Sequence, residues 1–277
     1  MLILYFSIGN LREGSGLPPL WRFLTFTQNF GLDIQTQKSF SHAWSLCVEE
    51  QFYLLLPVTI FLVFRSRMQK ATPYLIALLV GLGSFLRTYN WNEFVQPYID
   101  SGNSQAMYQG FLENVYYPSY NRMDGLLIGV TIAAIFNYKP RTKEFLTKYG
   151  NIVLLTGIAL FLVAYKICET IFSYKAMVYG LPLISIAYGV ILIGVISPTC
   201  ILYKLRSRVT LVIATLSYAI YLTHKQLYQF VKEINNESLQ QNAFWVCITV
   251  ALIGGFSFHI IIEKPFLKLR DKLIIEK

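Results

Sequence analysis

The sequence predicts an all-α fold: a polytopic membrane helix bundle with about seven full spans and a partial N-terminal span. Three observations carry that expectation. First, the 277 residues are 55% hydrophobic and 14% charged, whereas about a quarter of the residues of a soluble domain are charged. Second, the apolar residues come in runs separated by short charged stretches. Third, the charge of the connecting segments alternates along the chain, as it does when a chain threads a bilayer. This composition excludes a soluble enzyme, a disordered tail, a coiled coil and a disulfide-stapled secreted module.

In chain order, the apolar runs lie near residues 1–9, 52–64, 73–86, 123–136, 151–167, 177–196, 209–223 and 242–262. At about 1.5 Å per residue, the first run covers under half of a hydrocarbon core of about 30 Å, so it reads as the tail of a helix. It has neither the basic flank nor the cleavage site of a signal peptide. The aromatic stretch Trp21 to Phe30 reads as interfacial. The shorter later runs extend into their polar flanks to reach spanning length.

The connecting segments fix an orientation. Arg65, Arg67 and Lys70 follow the 52–64 run, and Lys139, Arg141, Lys143 and Lys148 with Glu144 follow 123–136. Lys204, Arg206 and Arg208 follow 177–196, and the tail after 242–262 carries Lys264, Lys268, Arg270, Lys272 and Lys277 against Asp271 and Glu276. Each of these segments sums to +3. The intervening segments are acidic or neutral, and 88–120 holds Glu93, Asp100 and Glu113 without a Lys or Arg. Basic segments stay in the cytoplasm, which puts the C-terminus there and 88–120 on the far side of the plasma or inner membrane. The same pattern accounts for the net charge of +9 without a nucleic-acid partner.

No internal repeat or linker interrupts the chain, so 1–277 reads as one domain. The four cysteines form no CxxC pair and stand near no metal-spaced histidines, which implies small apolar roles and no metal. The 88–120 segment is long for a connector. Its tyrosines and amides suit a sugar-facing cleft or an aromatic belt at the headgroups.

Ionisable residues at helix ends and within spans are costly and mark chemistry. The densest group is Ser41 to Tyr53, where a helix from about Trp44 puts Ser45, Glu49, Phe52 and Tyr53 on one face and turns Glu50 about 100° away. A carboxylate entering a membrane helix beside a Trp suits a proton acceptor or shuttle, and water at the interface is the plainer explanation. In Tyr120 to Gly125, Arg122 is a permanent cation that suits a substrate oxygen, or an ion pair with Asp124 or another helix. His224 closes the group Ser217 to His224, and His259 stands four residues before Glu263.

These residues resemble the multi-spanning acyltransferase family 3, membrane O-acetylases of bacterial polysaccharides and related acceptors. The resemblance rests on Trp44-Ser45-Leu46, Glu49-Glu50-Gln51-Phe52-Tyr53 and Pro57, then Arg122-Met123-Asp124-Gly125 and Gly129. It continues with Ser217-Tyr218, Tyr221-Leu222 and His224, and ends with Glu263-Lys264-Pro265 and Leu269-Arg270. It implies transfer of an acyl group, most often acetyl from cytoplasmic acetyl-CoA as donor substrate, to a hydroxyl of a cell-envelope carbohydrate. Glu49, Arg122 and His224 are the expected catalytic residues. Trp44, Ser45, Glu50, Tyr53, Asp124 and Tyr218 are the expected substrate-binding residues, with no bound cofactor. The family also carries an Arg and, about ten residues later, a His in its first helix, and the His is the expected base. The chain begins after that point and His42 does not fit the pattern, so an N-terminally truncated member is expected. The competing reading is an inactive remnant or a non-enzymatic scaffold or transport protein.

Overall fold

The structure, a computed structural model, describes residues 16–36, 41–205, 207–233 and 243–275. The expected partial span at 1–9 and most of the second half of the 224–241 segment lie outside the described residues. Among the described residues all regular structure is helical. The principal helices are α1 (Trp44–Arg65), α2 (Thr72–Phe94), α3 (Asp124–Tyr138), α4 (Gly150–Ile167), α5 (Leu181–Val195), α6 (Arg208–Glu233) and α7 (Ala243–Phe258). Each overlaps one apolar run of the sequence.

Four helical stretches are long and apolar enough to cross a membrane: Ser41–Arg65, Gly150–Ile167, Ala176–Val195 and Ala243–Ile274. Helix α3 is apolar but shorter, at 15 residues. Helices α2 and α6 have 23 and 26 residues but interrupt their apolar runs with polar side chains such as Arg87, Asn90 and His224. The outward faces of the spanning helices are apolar. Leu54 is 74% exposed, Leu155 65% and Ile261 71%, surface that favours contact with lipid chains over water. The protein is therefore a membrane protein.

The chain packs as two compact units. One comprises Pro18–Gln35 and Trp44–Arg206, and the other comprises Met1–Leu17, Thr36–Ala43 and Ser207–Lys277. In the larger unit α4 and α5 approach closely through glycine. A Cβ at Gly157 would stand 2.7 Å from the Ile191 backbone nitrogen, and one at Gly194 equally close to that of Leu154. Small residues at such crossings let backbones approach and gain dispersion contact that lipid cannot supply.

The 88–120 segment differs from the open aromatic cleft its composition suggests. It continues α2 to Phe94, then folds through the short helices Gln96–Asp100 and Ser104–Gly110 into a π-helical turn at Phe111–Tyr116. The Asn103 side chain accepts the Ala106 N–H and starts the second of these helices. Trp91, Val95, Phe111 and Val115 are buried there with Leu32 and Met177. Trp91 meets Phe111 and Tyr174 edge-on at ring-centroid distances of 6.2 and 6.0 Å. Aromatic side chains bury large apolar areas, so this segment is a core and not a lining. Tyr89 and Tyr108 remain outside it, at 53% and 43% exposure.

In the smaller unit α6 packs on α7. A Cβ at Gly255 would come within 2.4 Å of the Ile220 side chain, so that crossing also requires glycine. Helix α7 continues through a π-helical turn at His259–Glu263 into the basic helix Lys264–Ile275.

Candidate active site

A cavity of about 280 Å³ opens among the first turns of α1, α3 and α5. Trp44, Ser45, Val48 and Glu49 line it from α1. Asn121, Arg122 and the first turn of α3 line it from a second side, and Leu181, Ile184 and Ser185 of α5 from a third. Helical spacing explains why α1 presents Ser45 and Glu49 together while Glu50, one residue on, is exposed.

Arg122 is the cation of the cavity wall. Its guanidinium lies 5.0 Å from the ring centre of Trp44 and 4.5 Å from that of Tyr116. Stacking on ring faces suits a planar guanidinium and leaves in-plane N–H groups available. A guanidinium is a permanent cation, so its charge persists in this partly buried setting.

Asp124 does not pair with Arg122. It pairs with Arg87 of α2, whose Nη1 donates to Asp124 Oδ2 at 2.5 Å and to the Asn121 carbonyl at 2.8 Å. Arg87 is fully buried and Asp124 is 6% exposed. Asn121, also fully buried, donates its amide hydrogens to the Asn114 and Val115 carbonyls, and its Oδ1 has no hydrogen-bond partner. The cavity lining therefore holds an acceptor without a hydrogen-bond partner, Asn121 Oδ1, together with the ring-stacked cation of Arg122.

A polar network behind the cavity ties α1 to the Ser119–Asn121 turn. Gln51 donates from Nε2 to Asn29 Oδ1 at 3.1 Å and accepts the Ser119 hydroxyl at 2.6 Å. Asn29 donates to the Ser119 hydroxyl oxygen and to the Tyr117 carbonyl. Replacing Gln51 with Leu removes both of its links to buried groups. We expect a loss of about 1–3 kcal/mol, read as a lower melting temperature in detergent.

The structure gathers Trp44, Ser45, Glu49, Arg122 and Asp124 at one cavity. Glu50 lies on the exposed side of α1, and Tyr53 is 55% exposed. Tyr218, 51% exposed, and His224 belong to α6 of the smaller unit. There His224 Nδ1 donates to the Tyr221 carbonyl at 2.7 Å, and its ring meets that of His42 at 5.5 Å. The Tyr221 hydroxyl donates to the His42 carbonyl, and Lys225 donates to the Ser41 hydroxyl at 3.0 Å. His259 Nδ1 stands 2.9 Å from Glu263 Oε2, so this pair engages itself. Sequence reasoning missed Arg87 and Asn29, and gave no role to Gln51 and Asn121, which lay inside the motifs it singled out. Arg87 falls between the 73–86 run and the 88–120 segment, and an ionisable residue at that depth was the signal available.

Comparison with known proteins adds a family to this geometry. The chain spans about a third of the length of the curated relatives it matches. A Staphylococcus aureus (strain COL) protein provisionally named an O-acetyltransferase is 26% identical over 239 residues, covering 82% of this chain and 36% of the relative. The O-acetyltransferase OatA of Staphylococcus aureus (strain NCTC 8325 / PS 47) is 29% identical over 195 residues, covering 69% and 30%. No solved structure matches significantly. The profile of the acyltransferase 3 family, described as an acyltransferase domain, matches residues 1–263, and the chain belongs to that family.

Proposed function

We propose that the protein transfers an acyl group, acetyl in the first instance, from acyl-CoA to a hydroxyl of an extracytoplasmic or lipid-linked glycan. The observation that carries this reading is the presence of a carboxylate, Glu49, and the guanidinium of Arg122 on two sides of one cavity, while Arg87 neutralises Asp124. Glu49 accepts the proton of the acceptor hydroxyl as its oxygen attacks the thioester carbonyl. The carbonyl oxygen becomes an oxyanion facing Arg122. The tetrahedral intermediate then collapses, the carbon–sulfur bond breaks, and Glu49 returns its proton to the departing CoA thiolate, which leaves as the thiol.

Membership of an acyltransferase family and the O-acetyltransferase names of the relatives support the class of reaction. Seven spans in the plasma or inner membrane, with the C-terminus in the cytoplasm, suit the alternating loop charges. Basic segments follow α1, α3 and α5, which puts the starts of these helices, and hence the cavity, toward the far side. In this arrangement the glycan enters from outside, and the basic cytoplasmic loops attract the CoA phosphates.

The test is transfer of labelled acetyl from acetyl-CoA to isolated cell-envelope glycan by membranes holding the full-length protein. Arg122→Ala is expected to lower kcat by about 10²–10³-fold at equal protein level. Absence of transfer by the folded, inserted wild type, across several glycans, would favour a non-catalytic role.

A further inference from the structure

We propose that Gly125 and Ile184 set the length of the acyl group that the cavity accepts. This inference rests on the acyl-transfer reading and adds to it a pair of specificity-determining positions. The cavity has two chemically distinct parts. Glu49, Asn121 and Arg122 are polar, while Val48, Leu181 and Ile184 supply apolar wall.

Its volume decides what fits. At about 30 Å³ for each water-sized atom, 280 Å³ holds on the order of nine non-hydrogen atoms. An acetyl group fills a minor part of that room. A chain of membrane-lipid length would extend beyond its mouth. The remaining space takes either the acceptor hydroxyl with its ring carbon or a short extension of the acyl chain along the apolar wall.

Gly125 and Gly129 of α3 both stand apart from the packing glycines, and of the two Gly125 lines the cavity. A Cβ at Gly189 would come within 2.5 Å of the Ile128 side chain, and those at Gly157 and Gly194 within 2.7 Å of backbone, so glycine is sterically required at these positions. A Cβ at Gly125 would meet Ser185 Oγ at 3.6 Å, an ordinary contact, and its backbone needs no left-handed conformation. Glycine inside a helix start forfeits helix propensity that alanine would provide. Packing gives no reason for that loss here, whereas a side chain would stand in cavity space. Ile184 lies on α5, one residue before Ser185, and lines the cavity as Gly125 does. The two positions line one cavity from α3 and α5.

The experiment compares labelled acetyl-, butyryl- and hexanoyl-CoA as donors to isolated cell-envelope glycan, in membranes holding the full-length protein. Ile184→Ala is expected to raise the hexanoyl-to-acetyl rate ratio about tenfold or more, and Gly125→Val to lower the butyryl-to-acetyl ratio by a similar factor. Gly125→Ala, which meets only an ordinary contact, is expected to fold and to shift the ratio in the same direction as Gly125→Val, by less. Opposite movement of the ratios in Ile184→Ala and Gly125→Val supports the gauge. Ratios within twofold of wild type in the Gly125 variants, each confirmed as folded by its melting temperature, overturn it while wild-type transfer leaves the acyl-transfer reading standing. A folded wild type that transfers none of the donors overturns both.

Discussion

Glu49→Gln is expected to lower the rate of acyl transfer by about 10²–10⁴-fold, the contribution of a positioned general base. The substitution keeps the size and hydrogen-bonding reach of the side chain and removes its ability to accept a proton. Helix α1 should survive it, because the helix is held by buried Cys47, Val48 and Phe52 and by the Gln51 links to Asn29 and Ser119. The loss would therefore be chemical and appear in kcat at unchanged protein level. Glu50→Gln is the informative contrast. Its carboxylate neighbours Glu49 in sequence and faces outward, so a far smaller effect is expected. The pH profile separates the roles further. A base must be ionised to work, so the wild-type rate should fall toward acid, while the residual rate of Glu49→Gln should stay flat across the same range. Equal rates in the two single variants would remove Glu49 from the mechanism.

The helices were legible because lipid imposes a length and an apolarity that appear directly in the sequence, as in α4 and α5. The carboxylate and cation of the cavity were legible for the converse reason, since Glu49 and Arg122 are costly where they stand. What resisted reading depends on pairing over distance. Gln51 meets Asn29 across 22 residues, and Asp124 meets Arg87 across 37. Nothing local announces either contact. The 88–120 segment was obscure for another reason. Its apolar content is concentrated in aromatic residues, with polar residues between them, so it resembles a loop until Trp91, Phe111 and Met177 come together. Asp124 illustrates the consequence for function. Near Arg122 in sequence it suggests a local pair, whereas the fold engages it with Arg87 and leaves Arg122 stacked on Trp44 in the cavity lining.

Replacing Arg87 tests that division of charges, and Arg87→Leu is expected to destabilise the protein by about 3–5 kcal/mol. Arg87 is fully buried and joins three groups through one guanidinium: Asp124, the Asn121 carbonyl and the Ser84 hydroxyl. Leucine matches the apolar stem but leaves a buried carboxylate without its partner. Lysine is expected to rescue little, since a compact ammonium cannot reproduce the planar fork that reaches all three. Arg87→Leu combined with Asp124→Leu should recover much of the lost stability, because removing both charges relieves the buried imbalance that one substitution creates. Melting temperatures of the two single variants and the double variant, in detergent, measure that coupling. Additive effects would show that the ion pair does not organise the site. Activity gives the second readout. In Arg87→Leu the released Asp124 carboxylate competes for Arg122, so transfer should fall further than unfolding accounts for. Removing Asp124 as well frees Arg122 but leaves the Asn121 carbonyl without its tie to α2. The double variant should therefore regain more stability than activity, which is the signature of a buried pair that both supports the turn and keeps a neighbouring cation available for the reaction.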